Sequence, residues 1–263
     1  MLRGDVTKEV LISVITVCKD SEEFIEQCME SVVTRSSTTS STVVIDGGST
    51  DGTIQRLRRY EAHLSYWHTM PDRNLAHAFN RGVEHSSGEW LIFLNSDDFF
   101  ADGTSLSRMS SHLIRHSKAD VVFGRVEVVT REQRPQPMLR AGGPWRWSEF
   151  RRRDTIPHQA AFTNRRFFRR VGPFSEEFAN ADYEHYLRAA RDLSAVFVPE
   201  LVSRMRTRGM SRVHISRTLK QRRLAQERHE AFPAPWMAGA LYWFYVARGV
   251  AGRRARRLLG RWR

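Results

Sequence analysis

Short runs of apolar, β-branched residues alternate along this chain with segments whose apolar positions recur every three or four residues, and polar loops separate them. Residues 10–17 form the first run and predict a strand. Residues 22–33 follow, with Phe24, Ile25, Cys28, Met29 and Val32 on one helical face. The unit then repeats: 42–45 strand and 54–60 helix, 64–67 strand and 75–85 helix, 90–94 buried strand and 105–116 helix, with 121–123 opening a further strand. Strands alternating with helices of these lengths predict an α/β fold, a Rossmann-like and mainly parallel sheet flanked by helices. Past residue 130 the alternation weakens, and the Pro- and Gly-containing stretches 134–137 and 142–145 read as irregular connection. Periodicity returns at 162–168 and 183–193.

In open α/β sheets, ligands sit beyond the carboxyl ends of the strands. Three loops fall at that edge here: Cys18-Lys19-Asp20, the stretch 46–52, and Asn95-Ser96-Asp97-Asp98. Asp97 and Asp98 carry the sharpest signal. Two adjacent carboxylates directly after a buried strand repel one another, and a divalent cation bridging to a diphosphate would relieve that cost. A helix cap is the plainer use of the same residues. In Asp46-Gly47-Gly48-Ser49-Thr50-Asp51-Gly52-Thr53 the glycines let backbone approach a ligand, and Asp46 offers acceptors to a base or ribose. That block has neither dinucleotide-fingerprint spacing nor a P-loop lysine, so taken alone it reads first as a tight strand-to-helix turn capped by Asp51 or Thr53.

Charge divides the chain of 263 residues unevenly. Lys and Arg number 42 against 29 Asp and Glu, a net charge of +13, yet residues 201–263 alone hold 16 basic and 2 acidic side chains. A near-neutral body therefore carries a basic C-terminal extension, which excludes a uniformly basic nucleic-acid coat. At 41% hydrophobic residues the chain is also too apolar for a disordered one. Two cysteines, Cys18 and Cys28, make no disulfide framework and fit a reducing cytosol; no signal peptide is visible at the start.

Taken together, the blocks 14–20, 46–53, 71–73, 78–82, 87–90 and 95–98 occur in the order and spacing of family 2 glycosyltransferases, and the resemblance returns at 157–162 and 181–188. Those are GT-A-fold enzymes that take sugars from nucleotide-sugar donors. The resemblance implies that Thr16 and Asp46 hold the nucleotide base and that Asp72 and Arg73 line the nucleotide and its phosphates, with Val17, Gly47 and Asn80 also on the donor side and Asp97 in the metal motif beside Asp98. It implies Asp98 as direct ligand of Mg²⁺ or Mn²⁺. Asp182 matches the family's catalytic base, which would deprotonate an acceptor hydroxyl as it displaces the diphosphate with inversion. One carboxylate suffices because the metal-bound diphosphate leaves without a general acid. The family's usual Glu before that Asp is Ala181 here, and Glu184 is the competing carboxylate. His158, paired with Gln159 as in these transferases, is a further candidate on the acceptor or phosphate side. Arg208-Gly209-Met210-Ser211 resembles a Gly-Gly-x-Ser loop with Arg208 in place of its first glycine. Trp145 and Trp147 either stack on a sugar or anchor their segment to the core.

The division expected is a transferase domain over residues 1–200, with the nucleotide part at about 10–125 and the acceptor part at about 126–200, followed by the extension 201–263. Within the extension, 231–247 is uncharged, but Pro233 and Pro235 leave only 236–247 as continuous helix. Twelve residues span about 18 Å, short of a hydrocarbon core of about 30 Å. Tyr242, Trp243 and Tyr245 followed by seven arginines from Arg248 onward suit the headgroup region of an anionic membrane. Packing on the body or on a second subunit of a homo-oligomer is the alternative, and nucleic acid is not an expected partner.

The sequence thus predicts a peripheral enzyme on the cytoplasmic face of the cell membrane. It would move a sugar from a nucleotide donor, expected to be a UDP-sugar, to a lipid-linked or polysaccharide-precursor acceptor. A sugar-phosphate nucleotidyltransferase, or a non-catalytic basic interaction protein on a transferase fold, are the competing readings. The first would need a basic Gly-rich loop at 14–20, which is not there.

Overall fold

The computed structural model describes residues 12–33, 40–131, 135–206 and 215–259. The Arg208–Ser211 stretch and the first residues of the chain lie outside them. β1 (Ile12–Cys18) is buried along its whole length, as a central strand covered on both faces must be, and that is why it reads as a continuous apolar run. β2 (Ser40–Asp46) and β4 (Trp90–Phe93) flank it in parallel, and β3 (Tyr66–Thr69) extends the sheet beyond β2.

α1 (Ile25–Val33) buries Ile25, Cys28, Met29 and Val32 on one stripe against the sheet. α2 (Thr53–Arg58) joins α1 on that face. α3 (Leu75–Glu84) covers the opposite face, started by Asn74, whose side chain accepts the His77 N–H. These elements follow the alternation of the sequence closely. The acidic loop after β4 leads into the two-residue strand β5 (Phe99–Phe100), and α4 (Ser105–Arg115) starts only after Thr104. Asp97 and Asp98 therefore cap no helix.

The sheet itself departs from expectation. Its order is β3-β2-β1-β4-β8-β6-β9-β5, with β7 paired to β6. β6 (Val121–Val129) and β9 (Ala195–Arg206) run parallel, but β8 (Ala161–Asn164) lies antiparallel to both β4 and β6. β5 and β7 (Pro135–Ala141) are antiparallel to their partners as well. The sheet is mixed, not mainly parallel, because β8 inserts between two strands that run the other way. β7 also corrects the reading of residues 134–137 as irregular: its prolines are compatible with a strand at the margin of the sheet. β9 was not foreseen, and it runs straight through the expected division at residue 200.

The second half is completed by α5 (Trp147–Phe150), α6 (Arg165–Val171) and α7 (Ala181–Leu187). α6 is closed by Gly172 at φ +87°, a left-handed position that suits glycine. α8 (Ile215–Arg228) and α9 (Trp236–Leu259) follow. α9 is twice the twelve residues expected, since Ala, Arg and Leu after residue 247 sustain a helix that the loss of apolar residues had hidden. A second core joins Phe150, Phe167, Tyr183, Tyr186 and Leu187 with Ala225 of α8 and Ala231. Trp145 and Trp147 pack on Phe150 in this core, with ring centroids at 5.2 and 6.2 Å, so they anchor their segment.

Candidate active site

The loops at the carboxyl ends of β1, β2 and β4 are laced into one rim. Gly47 N–H donates to the Cys18 carbonyl and Ser96 N–H to that of Val17. Ser21 donates its N–H to Thr53 Oγ1 at 2.7 Å and shares a hydroxyl hydrogen bond of 2.8 Å with Ser96. Asp46 organises the second of these loops. Fully buried, it accepts from the Gly48 and Ser49 N–H groups, from the Ser49 and Thr69 hydroxyls and from the Cys18 thiol. Asp51 accepts the Thr53 N–H, so the tight turn is present, but the cap position of α2 is Gly52, without a side-chain cap bond, and not Asp51 or Thr53. Gly47 is there for a close approach: a Cβ would come within 2.8 Å of Asp72 Oδ2.

Thr16 and Val17 lie below this rim, buried in β1, with the Thr16 hydroxyl 4.0 Å from Cys28 Sγ. Asp72 stands beside His77 (3.3 Å) and Arg81 (4.0 Å), and burial pushes its carboxyl up despite these neighbours. Arg73 and Asn80 reach away from the rim to the α6–α7 loop. Arg73 forms a two-pronged pair with Glu176 (2.8 and 2.7 Å), and Asn80 clamps both main-chain groups of Phe174 (2.9 and 2.8 Å). In this geometry they fasten the two halves together.

Asp98, 1% exposed, is the inner member of the acidic pair. Gln159 Nε2 donates to its Oδ2 at 3.0 Å, and Arg206 N–H donates to its Oδ1 at 3.3 Å. Burial, and then the charge of Asp97, push its carboxyl up to about 7; burial raises Asp97 too, against Arg206. Arg206 itself is buried between Phe24 and Phe99, its guanidinium 4.8 and 5.0 Å from the ring centroids. The guanidinium donates to the Asp97 carbonyl and to Gln27, and only the Arg206 main-chain N–H reaches a carboxylate. Among the described residues the pair has no side-chain counter-ion in direct contact, which is the electrostatic condition for a cation. Among the described residues no three His, Cys, Asp or Glu gather as a metal cage. Asp98, with Asp97, fits instead the sparse ligation of Mg²⁺ or Mn²⁺ that also binds substrate phosphates.

His158 joins this acidic pair to the second half. Its Nδ1 donates to Asp182 Oδ2 at 3.1 Å, and its Nε2 lies 3.1 Å from Asn95 Nδ2. Asn95 also leans toward Asp98 Oδ2 (3.5 Å). Burial would lower the imidazole, but the hydrogen bond and charge of Asp182, helped by Asp98 and Asp154, hold it above the usual histidine range. Burial in turn would raise Asp182, yet the His158 bond and the first N–H groups of α7 keep it below the usual carboxylate range. Asp182 is therefore an ionised carboxylate with one oxygen bound by His158.

Glu184 lies elsewhere. Two residues on, it turns to another side of α7, where Arg188 grips it at 3.0 and 2.7 Å and His229 at 2.7 Å. Burial opposes its ionisation, but these bonds pull the carboxyl down to about 2. It serves the join between α7 and the end of α8.

Sequence reasoning missed two groups. Asp154 lies within electrostatic reach of Asp182, His158 and Arg222, its carboxyl pushed up by the surrounding protein and then by Asp182. Arg206 gave no signal, being one arginine among several in a polar strand.

An open α/β sheet with an acidic pair at one strand end and a histidine-held carboxylate facing it defines a GT-A-like transferase. The chain belongs to glycosyl transferase family 2, whose family model matches residues 13–175. It is 28% identical over 182 residues to a PGL/p-HBAD biosynthesis glycosyltransferase of Mycobacterium bovis, covering 68% of this chain and 69% of that one. Over 91 residues it is 33% identical to the putative teichuronic acid biosynthesis glycosyltransferase TuaG of Bacillus subtilis, covering 34% and 36%.

The fold is that of two solved structures. TarS 1–349 of S. aureus in complex with UDP-GlcNAc superposes with a TM-score of 0.64 at 17% identity, over 82% of this chain and 65% of that one. The mannosyltransferase PcManGT of Pyrobaculum calidifontis in complex with GDP-Man and Mn²⁺ gives 0.63 at 19%, over 91% and 75%. The present chain thus spans about two thirds of the TarS chain's length. Membership of the family makes the protein a glycosyltransferase by class and favours that reading over a sugar-phosphate nucleotidyltransferase.

Proposed function

We propose that this glycosyltransferase moves one sugar from a nucleotide sugar to a hydroxyl of a lipid-linked or polysaccharide-precursor acceptor, with inversion and with Asp182 as general base. The observation that carries the reading is the contact chain Asp98–Gln159 and Asn95–His158–Asp182. It sets a buried acidic pair and an ionised carboxylate on one rim.

The rim loops of β1, β2 and β4 would receive the nucleotide. Mg²⁺ or Mn²⁺ at Asp98, supported by Asp97, would supply neutralisation of the departing diphosphate. His158 occupies Asp182 Oδ2, and Oδ1 is the oxygen assigned to the acceptor in this reading. The acceptor hydroxyl gives its proton to that oxygen as its own oxygen bonds the anomeric carbon. The bond from that carbon to the diphosphate breaks on the opposite face, so a single displacement inverts the centre. Relatives named for biosynthesis of PGL/p-HBAD and teichuronic acid support a saccharide acceptor.

A thermal-shift screen of nucleotide sugars with and without Mn²⁺ tests the donor side, because a ligand of the folded state raises its stability by mass action. One nucleotide sugar is expected to raise Tm with Mn²⁺, and Asp98→Ala to lose the metal-dependent part. No shift from any nucleotide sugar in Mn²⁺ would contradict the proposal.

A further inference from the structure

α9 lies against α8 and turns a bare apolar stripe outward. Its exposed positions between residues 236 and 248 are Trp236, Ala240, Trp243, Phe244, Ala247 and Arg248. They step by three and four residues, so they form one face of the helix. Trp236, Trp243 and Phe244 are 71%, 64% and 53% exposed, and Leu224 of α8 adds a fourth large apolar side chain in solvent. Aromatic rings of this size are seldom left bare without a partner.

The charge around the stripe names the partner. Arg222 lies over Tyr245 at 4.9 Å, Arg223 over Tyr242 at 5.8 Å and Arg248 over Phe244 at 5.6 Å. The helix then continues to Leu259 through Arg253, Arg254, Arg256 and Arg257. Aromatic rings bordered by guanidinium groups suit the boundary between acyl chains and anionic headgroups. A second copy of the same surface is disfavoured, since residues 201–263 carry 16 basic and 2 acidic side chains and two such surfaces repel. Among the described residues no helix is long and apolar enough to cross a membrane.

We propose that the outward stripe of α9 is a docking surface for a bilayer rich in anionic lipids, with the helix lying in the plane of the interface. The surface is tied to the catalytic half. α8 buries Ala225, and its Gln226 donates to Tyr183 Oη at 3.1 Å and to the Arg151 carbonyl at 2.9 Å. Just beyond α8, His229 bonds Glu184. Both Tyr183 and Glu184 are neighbours of Asp182 on α7, so docking would bring the acceptor side of the rim to the lipid surface.

The test is sedimentation of the full chain with vesicles of equal phosphatidylglycerol and phosphatidylcholine, against vesicles of phosphatidylcholine alone. The chain should sediment with the first, stay in solution with the second, and be released by raised salt. Trp243→Ser with Phe244→Ser should weaken sedimentation by about tenfold or more. Both positions are exposed, so Tm and the nucleotide-sugar thermal shift should stay at wild-type values. Sedimentation needs no catalysis and is read independently of sugar transfer. A chain that remains in solution with anionic vesicles at low salt, or a double variant that sediments like wild type, would overturn the proposal. So would a dimer in solution that the double variant dissolves, because it would assign the stripe to a second copy.

Discussion

Asp46 and Asp182 are carboxylates of one rim held in opposite ways. Asp46 is secured by its own turn, through the N–H groups two and three residues on and the hydroxyl of Ser49, with Thr69 and Cys18 completing the set. Asp182 owes its orientation to His158, 24 residues earlier, which is itself placed by Asn95 from the other half of the chain. A carboxylate saturated by its own loop shapes the backbone around a ligand. One held by a histidine from a distant segment depends on the two halves being folded together. The β1–β4 half is thus built from local sequence blocks, and the β6–α8 half from side chains that meet only in the folded protein.

That contrast is open to test by removing the long-range contacts. Glu184→Gln has the largest expected effect, because it strips a buried carboxylate from Arg188 and His229. Breaking such a pair costs about 3–5 kcal/mol, read as a fall in Tm or denaturation midpoint. The sign with pH follows from the carboxyl's position at about 2 when folded against an ordinary 4.5. Its stabilisation is complete above 4.5 and is lost as pH falls through about 2, a span worth on the order of 3 kcal/mol. Glu184→Gln should flatten the stability curve in that window. An unchanged curve would mean that α7 and α8 are joined by packing alone.

His158→Ala has the next effect. A hydrogen bond to a charged group contributes about 1.5–3 kcal/mol, so kcat should fall by roughly 10- to 100-fold with donor affinity preserved. Without the imidazole, Asp182 loses the group that lowers it, and the acid limb of the pH–rate profile should move to higher pH. His158→Gln, which retains a donor, should recover part of the rate. A fall in rate with the acid limb in place would leave His158 a packing residue.

The same contrast governs what could be read from the sequence. From β1 through α4 every element but the two-residue strand β5 was legible because period and turn chemistry are local: the run before Asp46 and the stripe of α1 each lie within a few residues. The insertion of β8 between β4 and β6 is set by pairing across more than 70 residues, and no local pattern reports strand direction. β9 was hidden because Ser203, Arg204 and Arg206 interrupt its apolar positions, and α8 because it is strongly polar. The site divides likewise. Asp98, His158 and Asp182 were found through motif resemblance and lie on one contact chain, whereas the partners that occupy Asn80, Arg73 and Glu184 are visible only once the two halves are folded together.

The central claim is that Asp182 takes the acceptor's proton on a rim whose donor side is built independently. Steady-state transfer by Asp182→Asn, beside its nucleotide-sugar affinity in Mn²⁺, tests it most directly. The account predicts a fall in kcat of about 10²- to 10⁴-fold with donor affinity at the wild-type value. Turnover at the wild-type rate, or a loss confined to donor binding, would contradict it.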